Sequence, residues 1–300
     1  MEVADHKILD GRKVAEEMKA GIAEDVEALK DAGWAPNLIS VTVGESAPVK
    51  MYVRNQRRVA ESVGIGFEER QFPTDISRDE LLAAIGTMNA DPRTTGVIIE
   101  RPIPDHLNIK ELQSAVHPLK DVEGMHPSSI GNIIYDEIEL GPCTAMAAVE
   151  ILKRTGLDLE GLEVVIIGHS VIVGKPIAFL LLAEGATITV CHHLTRQLAV
   201  HSRQADAVFV AVGKAEYITG DMIKPGAAVI DIGINRVPAE DGKMKTVGDV
   251  DFASCREVAG WITPVPGGVG PVTVAILMRN TVIGAKRQKA HYEAEFGITD

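Results

Sequence analysis

One segment constrains the fold of this chain more than any other. An apolar stretch, Leu162–Ile167, leads into a glycine turn and then a helix, and the whole segment reads LEVVIIGHSVIVGKP from Leu162 to Pro176. A strand, turn and helix in this order direct free backbone N–H groups and a helix N-terminus at the phosphates of a nucleotide. The spacing is G-x-S-x-x-x-G rather than G-x-G-x-x-G, so a tight turn without a ligand is the alternative that the motif leaves open.

The apolar runs that follow predict a parallel sheet. Four more strands are expected, at Gly185–Cys191, Ala205–Gly213, Ala227–Gly233 and Gly260–Pro266. They are apolar on both faces and alternate with helical stretches, which is typical of a doubly wound sheet. Ligands of such sheets bind at the carboxyl ends of the strands, where Gly168, His192, Gly213 and Gly233 fall. We therefore expect a dinucleotide site at this edge.

The N-terminal half predicts a second βαβ succession. Strands are expected at Asn37–Gly44, Gly66–Phe72 and Gly96–Glu100, and helices at 11–32, 48–63 and 77–89. Ser77 and Glu80 have the spacing of a capping box. The prediction is an α/β protein with two three-layer αβα domains and a cleft between them. Residues 1–143 plus 272–300 form the first domain, and residues 144–271 form the Rossmann-type domain.

Composition excludes several classes of function. The 300 residues carry a net charge of −12, which argues against nucleic-acid and anionic-membrane partners. No stretch approaches the roughly 20 apolar residues of a membrane span. The three cysteines, Cys143, Cys191 and Cys255, have no metal-type spacing. They predict free thiols in a cytoplasmic protein without a metal site.

Short motifs along nearly the whole chain point to one family. They include Tyr52–Asn55, Arg101–Pro104, Lys120–Gly124, Pro142–Thr144, Gly168–Pro176, Val229–Arg236 and Thr263–Pro271. Together they resemble the methylenetetrahydrofolate dehydrogenase/methenyltetrahydrofolate cyclohydrolases. The resemblance implies a homodimer that binds tetrahydrofolate derivatives in the cleft between a folate domain and a nucleotide domain. It also implies oxidation of 5,10-methylenetetrahydrofolate by hydride transfer to a nicotinamide cofactor, followed by hydrolysis of the methenyl product.

The resemblance also assigns site residues. Tyr52, Gln56, Glu100 and Glu123 fall at catalytic positions, and all of them except Gln56 are also expected to contact substrate, with Gly267, Gly270 and Pro271. The cofactor positions are Gly168, His169, Ser170, Val173, Gly174, His193, Val212, Gly213, Gly233 and Ile234.

The chain departs from the family pattern where the substrate would bind. The usual Tyr-x-x-x-Lys helix ends here in Gln56, a usual glutamine is Glu100, and a usual aspartate is Glu123. A lysine of lowered pKa can exchange protons during hydrolysis, whereas glutamine cannot. Hydride transfer, in contrast, mostly requires that the methylene carbon is aligned with the nicotinamide ring. The prediction is a dehydrogenase with weak or absent cyclohydrolase activity. Glu100 is a carboxylate at the tip of a buried strand, so it is expected to need a partner or solvent; whether Arg101 neutralises it stays open.

Cofactor choice is affected too. His169 and His193 stand where NADP-using members commonly have the arginine and serine that hold the 2′-phosphate. Histidines replace a guanidinium only in part, mainly when protonated. NAD is therefore favoured over NADP. Two alternatives remain: a catalytically silent folate- and nucleotide-binding paralogue, and a dehydrogenase for a modified one-carbon carrier. The intact nucleotide motif favours an enzyme.

Overall fold

The computed structural model describes residues 7–239 and 242–297. This part of the chain divides into two compact units. The N-terminal unit comprises Glu17–Cys143 and the residues from Val274 onward, and the C-terminal unit comprises Thr144–Thr273 and the described residues up to Glu16. Both units are α/β, with parallel sheets as predicted.

The N-terminal unit is built on a parallel sheet of three strands in the order β2-β1-β3. The elements up to Cys143 are α1 (Gly11–Asp31), β1 (Asn37–Val43), α2 (Ala47–Ser62), β2 (Gly66–Phe72), α3 (Arg78–Ala90), β3 (Gly96–Ile99), α4 (Ile109–Ala115) and α5 (Pro127–Ile134), with a 3₁₀ turn at Pro118–Lys120. The apolar residues of β1 and β3 pack against α3, and the polar β2 forms an edge. The predicted capping box of Ser77 and Glu80 is present, which confirms the start of α3.

The C-terminal unit contains a five-stranded parallel sheet in the order β10-β7-β6-β4-β5. Its elements are α6 (Cys143–Lys153), β4 (Glu163–Ile167), α7 (Gly174–Ala183), β5 (Thr187–Cys191), α8 (Leu198–Ser202), β6 (Ala207–Val210), β7 (Ala228–Asp231), β8 (Asn235–Pro238), β9 (Met244–Val247), α9 (Phe252–Val258) and β10 (Trp261–Ile262), with a 3₁₀ turn at Gly220–Met222. The last helix, α10 (Val269–Phe296), begins in this unit, and its residues from Val274 onward belong to the N-terminal unit. The strand order reverses at β4, because β5 adds on one side and β6 on the other. Such a reversal opens a crevice at the carboxyl ends of the strands.

Two elements of this unit differ from the sequence prediction. The strand expected at Gly260–Pro266 pairs only over Trp261–Ile262, because the prolines that follow lack the N–H needed to extend the ladder. An antiparallel hairpin, β8 and β9, lies where no strand was expected. None of the helices in the described ranges is both long and apolar enough to span a membrane.

The start of the described chain belongs to the C-terminal unit. The backbone N–H of Leu9 donates to the carbonyl of Ile262 at 2.9 Å, extending the edge of the sheet at β10. A Cβ on Gly11 would lie 1.7 Å from the carbonyl oxygen of Gly268, so glycine lets α1 begin against that loop. The sequence prediction instead groups these residues with 1–143. The assignment of folate to one domain and the dinucleotide to the other stays a prediction.

Candidate active site

Helix α2 carries two of the predicted catalytic residues. Tyr52 and Gln56 are four residues apart and so share one face of the helix. Gln56 is fully buried, and its Nε2 donates a hydrogen bond of 2.8 Å to Oε1 of Glu100. Its Oε1 is buried without a hydrogen-bond partner among the described residues. A buried carbonyl oxygen without a hydrogen-bond donor costs free energy. A ligand that donates a hydrogen bond to this oxygen would remove that cost.

Glu100 follows the last residue of β3 and is buried among polar partners. Its backbone N–H donates to the carbonyl of Val41 at 2.9 Å, which fixes it at the tip of the sheet. Besides the bond from Gln56, its Oε1 accepts one from Ser40 Oγ at 3.0 Å. Burial raises the pKa of Glu100, and the two hydrogen bonds partly offset this. The expectation that this carboxylate needs a partner is met by Gln56 and Ser40.

Arg101 forms its ion pair with the other predicted glutamate. Its Nη2 lies 3.1 Å from Oε1 of Glu123, and both side chains are largely shielded from solvent. Burial raises the pKa of Glu123 to about 7; Arg101 lowers it, while Asp121 and Glu100 raise it. The charge of Arg101 also lowers the pKa of Glu100, but less than the hydrogen bonds from Gln56 and Ser40. The positive charge of Arg101 thus lowers the pKa of both carboxyl groups.

The loop that carries Glu123 is held by a buried carboxylate. Asp121 accepts hydrogen bonds from the backbone N–H of Met125 and His126 and from Ser129 Oγ, at 3.1, 2.7 and 2.7 Å. Gly124 has φ +74°, and a Cβ there would lie 2.2 Å from the carbonyl carbon of Gly141. Asp121 therefore acts through the loop to position Glu123.

A phenol and a thiol complete the group. Burial raises the pKa of Tyr52 far above its ordinary value, and the negative charge of Glu100 raises it further. Burial likewise raises the pKa of Cys143, with Glu123 adding to the effect. Both groups are thus neutral hydrogen-bond donors at neutral pH. The structure brings together Tyr52, Gln56, Glu100 and Glu123 and adds Cys143, whose only sequence signal was its place in the Pro142–Thr144 motif.

The glycine turn after β4 has the geometry of a phosphate cradle. Gly168 has φ +124°, and a Cβ there would meet the carbonyl oxygen of Ala211 at 2.2 Å. A Cβ on Gly174 would lie 1.9 Å from the carbonyl oxygen of Gly168. Ser170 Oγ accepts from the backbone N–H of Val173, the N-cap of α7, at 3.1 Å. These close approaches form a compact turn at a helix N-terminus, so these residues fit a nucleotide.

Two buried aspartates that the sequence analysis missed hold the neighbouring loops. Asp249 accepts hydrogen bonds from the backbone N–H of Val212, Gly213 and Lys214 at 2.6 to 2.9 Å. Asp231, at the end of β7, accepts from Gly233, Asp249 and Val250 at 2.9 to 3.0 Å. Burial raises the pKa of Asp231 to about 6. The two carboxylates thereby position the predicted cofactor residues Val212, Gly213 and Gly233.

Three histidine rings lie beside the glycine turn. The centroid of His169 is 4.7 Å from that of His192 and 6.2 Å from that of His193. The structure thus places the two predicted cofactor histidines beside His192, which the sequence analysis expected at the same edge of the sheet. Within the described ranges, no group of three or more His, Cys, Asp or Glu side chains is arranged to hold a metal ion.

The remaining predicted residues also lie in the C-terminal unit. Gly267 has φ +114°, with its Cβ position 3.1 Å from Cζ of Arg12. Gly270 and Pro271 are in the first turn of α10, and Ile234 is 71% exposed just before β8.

Comparison with known proteins identifies the family. The NAD(P)-binding domain of tetrahydrofolate dehydrogenase/cyclohydrolase matches residues 142–289, and the catalytic domain of the same family matches residues 9–123. "Bifunctional protein FolD 2" of Mesorhizobium japonicum is 62% identical over 99% of this chain and 97% of its own length.

Solved structures agree with this match. The bifunctional methylenetetrahydrofolate dehydrogenase/cyclohydrolase of Campylobacter jejuni is 39% identical, with a TM-score of 0.88 over 93% of this chain and 98% of its own. The enzyme of Trypanosoma brucei, solved with NADP and an inhibitor, is 34% identical, with a TM-score of 0.88 over 93% and 96%. The chain belongs to the tetrahydrofolate dehydrogenase/cyclohydrolase family.

Proposed function

We propose that this chain oxidises 5,10-methylenetetrahydrofolate with a nicotinamide cofactor and has weak or absent activity in hydrolysing the methenyl product. The names of its relatives describe bifunctional proteins, so membership of the family alone favours both activities. The proposal of weak hydrolysis rests on one observation: the buried amide of Gln56, hydrogen-bonded to Glu100, stands at the position where the family pattern has lysine. An amide neither donates a proton to water nor accepts one at neutral pH.

The residues of the N-terminal unit would bind and orient the folate. Tyr52 offers a neutral phenol, Gln56 an unpaired carbonyl oxygen, and Glu100 and Glu123 offer carboxyl groups. Gly267, Gly270 and Pro271 stay proposed substrate contacts. A bound nicotinamide would supply the acceptor for the hydride that leaves the methylene carbon. Gly168, Ser170 and Val173 would hold its phosphates, while Asp249 fixes the backbone of Val212 and Gly213. The chain's contribution to oxidation is therefore alignment.

We propose NAD as the better cofactor. The His169, His192 and His193 rings would face a ribose 2′-phosphate without the permanently charged guanidinium that NADP-using members commonly have. With methylenetetrahydrofolate, kcat/KM should therefore be higher for NAD than for NADP at about pH 8. The measurement is the initial rate with each nucleotide at this pH.

A His169→Arg/His193→Ser variant sharpens this test. It restores the usual arginine and serine, so its NADP rate should rise by about tenfold or more through charge-assisted bonds to the phosphate. A preference for NADP that persists in the unmodified chain at about pH 8 would refute the cofactor proposal. If neither nucleotide is reduced, the catalytically silent binding protein replaces the enzyme. Reduction only with a chemically different one-carbon carrier would support the third alternative.

We also propose a homodimer joined through the C-terminal units. Strand β5 is an edge of its sheet, and large apolar side chains on and next to α7 and β5 are exposed: Val171, Phe179, Leu182, Val190 and Leu194. A monomer rarely leaves an apolar edge strand uncovered. A second copy of the same edge would cover it across a twofold axis.

A charge placed on this edge should separate the dimer. We expect Val190→Lys to sediment as a monomer at micromolar concentrations where the unmodified chain is a dimer, because two ammonium groups would face each other. Tyr135→Lys is the matched control, since Tyr135 is 82% exposed in the other unit. A monomeric unmodified chain at these concentrations would end the proposal.

A further inference from the structure

We infer that Glu100 makes the proposed folate site selective for a cationic one-carbon bridge, so that the site holds 5,10-methenyltetrahydrofolate and shields it from hydration. This inference rests on the proposed function, since it concerns the same site. It adds a role for Glu100 that is separate from the loss of the family's lysine at position 56.

The charges of Glu100, Glu123 and Arg101 do not balance when both carboxyl groups are ionised. Glu100 and Glu123 are both largely buried and share the guanidinium of Arg101, which is bonded to Glu123. The groups that contact Glu100 directly are an amide and a hydroxyl, which stabilise a carboxylate but carry no charge. When both carboxyl groups are ionised, their two negative charges exceed the single positive charge of Arg101. A cationic ligand can supply the missing charge, whereas a neutral ligand cannot.

Oxidation changes the charge of the one-carbon bridge. Loss of a hydride turns the uncharged bridge of methylenetetrahydrofolate into the methenyl cation, whose positive charge is shared by the bridge carbon and its two nitrogens. A carboxylate that faces this bridge binds the product more tightly than the substrate. It therefore favours oxidation on the protein.

Hydration removes the positive charge of the one-carbon bridge. Hydration adds hydroxide to the bridge carbon and releases a proton, so the cation loses its charge on the way to the tetrahedral adduct. A carboxylate that stabilises the cation does not stabilise the neutral adduct equally, and the barrier to hydration rises. The Oε1 of Gln56, which has no hydrogen-bond partner among the described residues, is an acceptor and adds partial negative charge to the amide beside Glu100. Bound methenyltetrahydrofolate should thus hydrate more slowly than the free cation.

The test compares ligands of different charge. Dissociation constants are measured for methenyltetrahydrofolate, by rapid mixing, and for tetrahydrofolate, which has no one-carbon bridge and no positive charge there, with the unmodified chain, Glu100→Gln and Glu69→Gln. Glutamine keeps an acceptor for Ser40 and Gln56 but removes the charge. We expect Glu100→Gln to lower the affinity ratio of cation to neutral ligand by about tenfold or more. Glu69→Gln removes a partly exposed charge whose effect on Glu100 is smaller, and should leave the ratio unchanged.

The decay of methenyl absorbance gives a second readout. With protein in excess, hydration should be slower than in buffer for the unmodified chain and for Glu69→Gln, and Glu100→Gln should remove this protection. An unchanged affinity ratio and decay rate in a folded Glu100→Gln variant would overturn the inference. If the unmodified chain binds neither folate, the proposed function fails instead, so the two failures are distinguishable. If Glu100→Gln does not fold, Glu100→Asp takes its place. Because aspartate keeps the charge, this variant must show the same affinity ratio of cation to neutral ligand as the unmodified chain.

Discussion

A chain with lysine and glutamine at positions 56 and 100 is expected to hydrolyse methenyltetrahydrofolate about a hundred to ten thousand times faster than the unmodified chain, the range that a positioned acid–base group supplies. The double variant Gln56→Lys/Glu100→Gln restores the pair that the family pattern carries. It places an amine on the buried face of α2, where the amide of Gln56 now lies. The measurement is the decay of methenyl absorbance under multiple turnover, beside kcat/KM for oxidation.

Each single variant should hydrolyse methenyltetrahydrofolate more slowly than the double variant. In Gln56→Lys, the new ammonium would lie beside Glu100, at the place where Gln56 Nε2 is now 2.8 Å from Oε1. This pair would hold the pKa of the lysine high and leave it unable to accept a proton. Glu100→Gln alone removes a charge but adds no proton carrier.

Met51→Lys is the control for adding an amine to the same helix. Met51 is 71% exposed, so its ammonium would be solvated and hydrolysis should not change. Hydrolysis by the unmodified chain at a rate equal to its oxidation would mean that another group activates water, and the role given to Gln56 would be wrong.

The elements with strong periodicity could be predicted from the sequence, and the short irregular ones could not. Strand β2 begins and ends at the predicted residues, and α3 begins after its predicted cap. The hairpin of β8 and β9 was missed because its strands are four residues each and are mostly polar or exposed. Strands of this length carry too few alternations to separate them from a loop.

The identities of the site residues could be predicted, but their pairing could not. Glu100 was recognised as a carboxylate in need of a partner, yet its two donors are 44 and 60 residues away in sequence. Arg101 was an open partner for its neighbour, and the fold pairs it with Glu123 instead. The roles of Asp231 and Asp249 were missed because their carboxylates accept mainly from backbone N–H groups and, for Asp249, also from the Asn235 side chain, contacts that the sequence does not reveal. Such pairings depend on tertiary contacts that local patterns do not encode.

Gly168→Ala is expected to weaken nucleotide binding by about a hundredfold or more, because backbone strain and overpacking each cost about 1 to 3 kcal/mol. Its methyl group would lie 2.2 Å from the carbonyl oxygen of Ala211, and its φ of +124° is one that alanine avoids. The turn must shift, and with it the backbone ahead of α7. The measurement is the dissociation constant of NAD by calorimetry, together with thermal unfolding and tetrahydrofolate binding.

Gly156→Ala is the matched control in the same unit. Gly156 also has a positive φ, +75°, but no neighbouring atom of the described residues lies within 4 Å of its Cβ position. The Gly156→Ala substitution should lower the free energy of unfolding by about 1 kcal/mol and leave the affinity for NAD unchanged.

Should Gly168→Ala fail to fold, Val173→Asp addresses the same site by charge. Aspartate is a favourable N-cap for α7, so this variant should fold, and its carboxylate would repel a phosphate at the helix N-terminus. Undiminished affinity for NAD in both folded variants would place the nucleotide elsewhere. Selective loss of NAD binding, with tetrahydrofolate binding retained, would assign the cofactor to the turn that begins at Gly168 and separate this site from the folate site around Glu100.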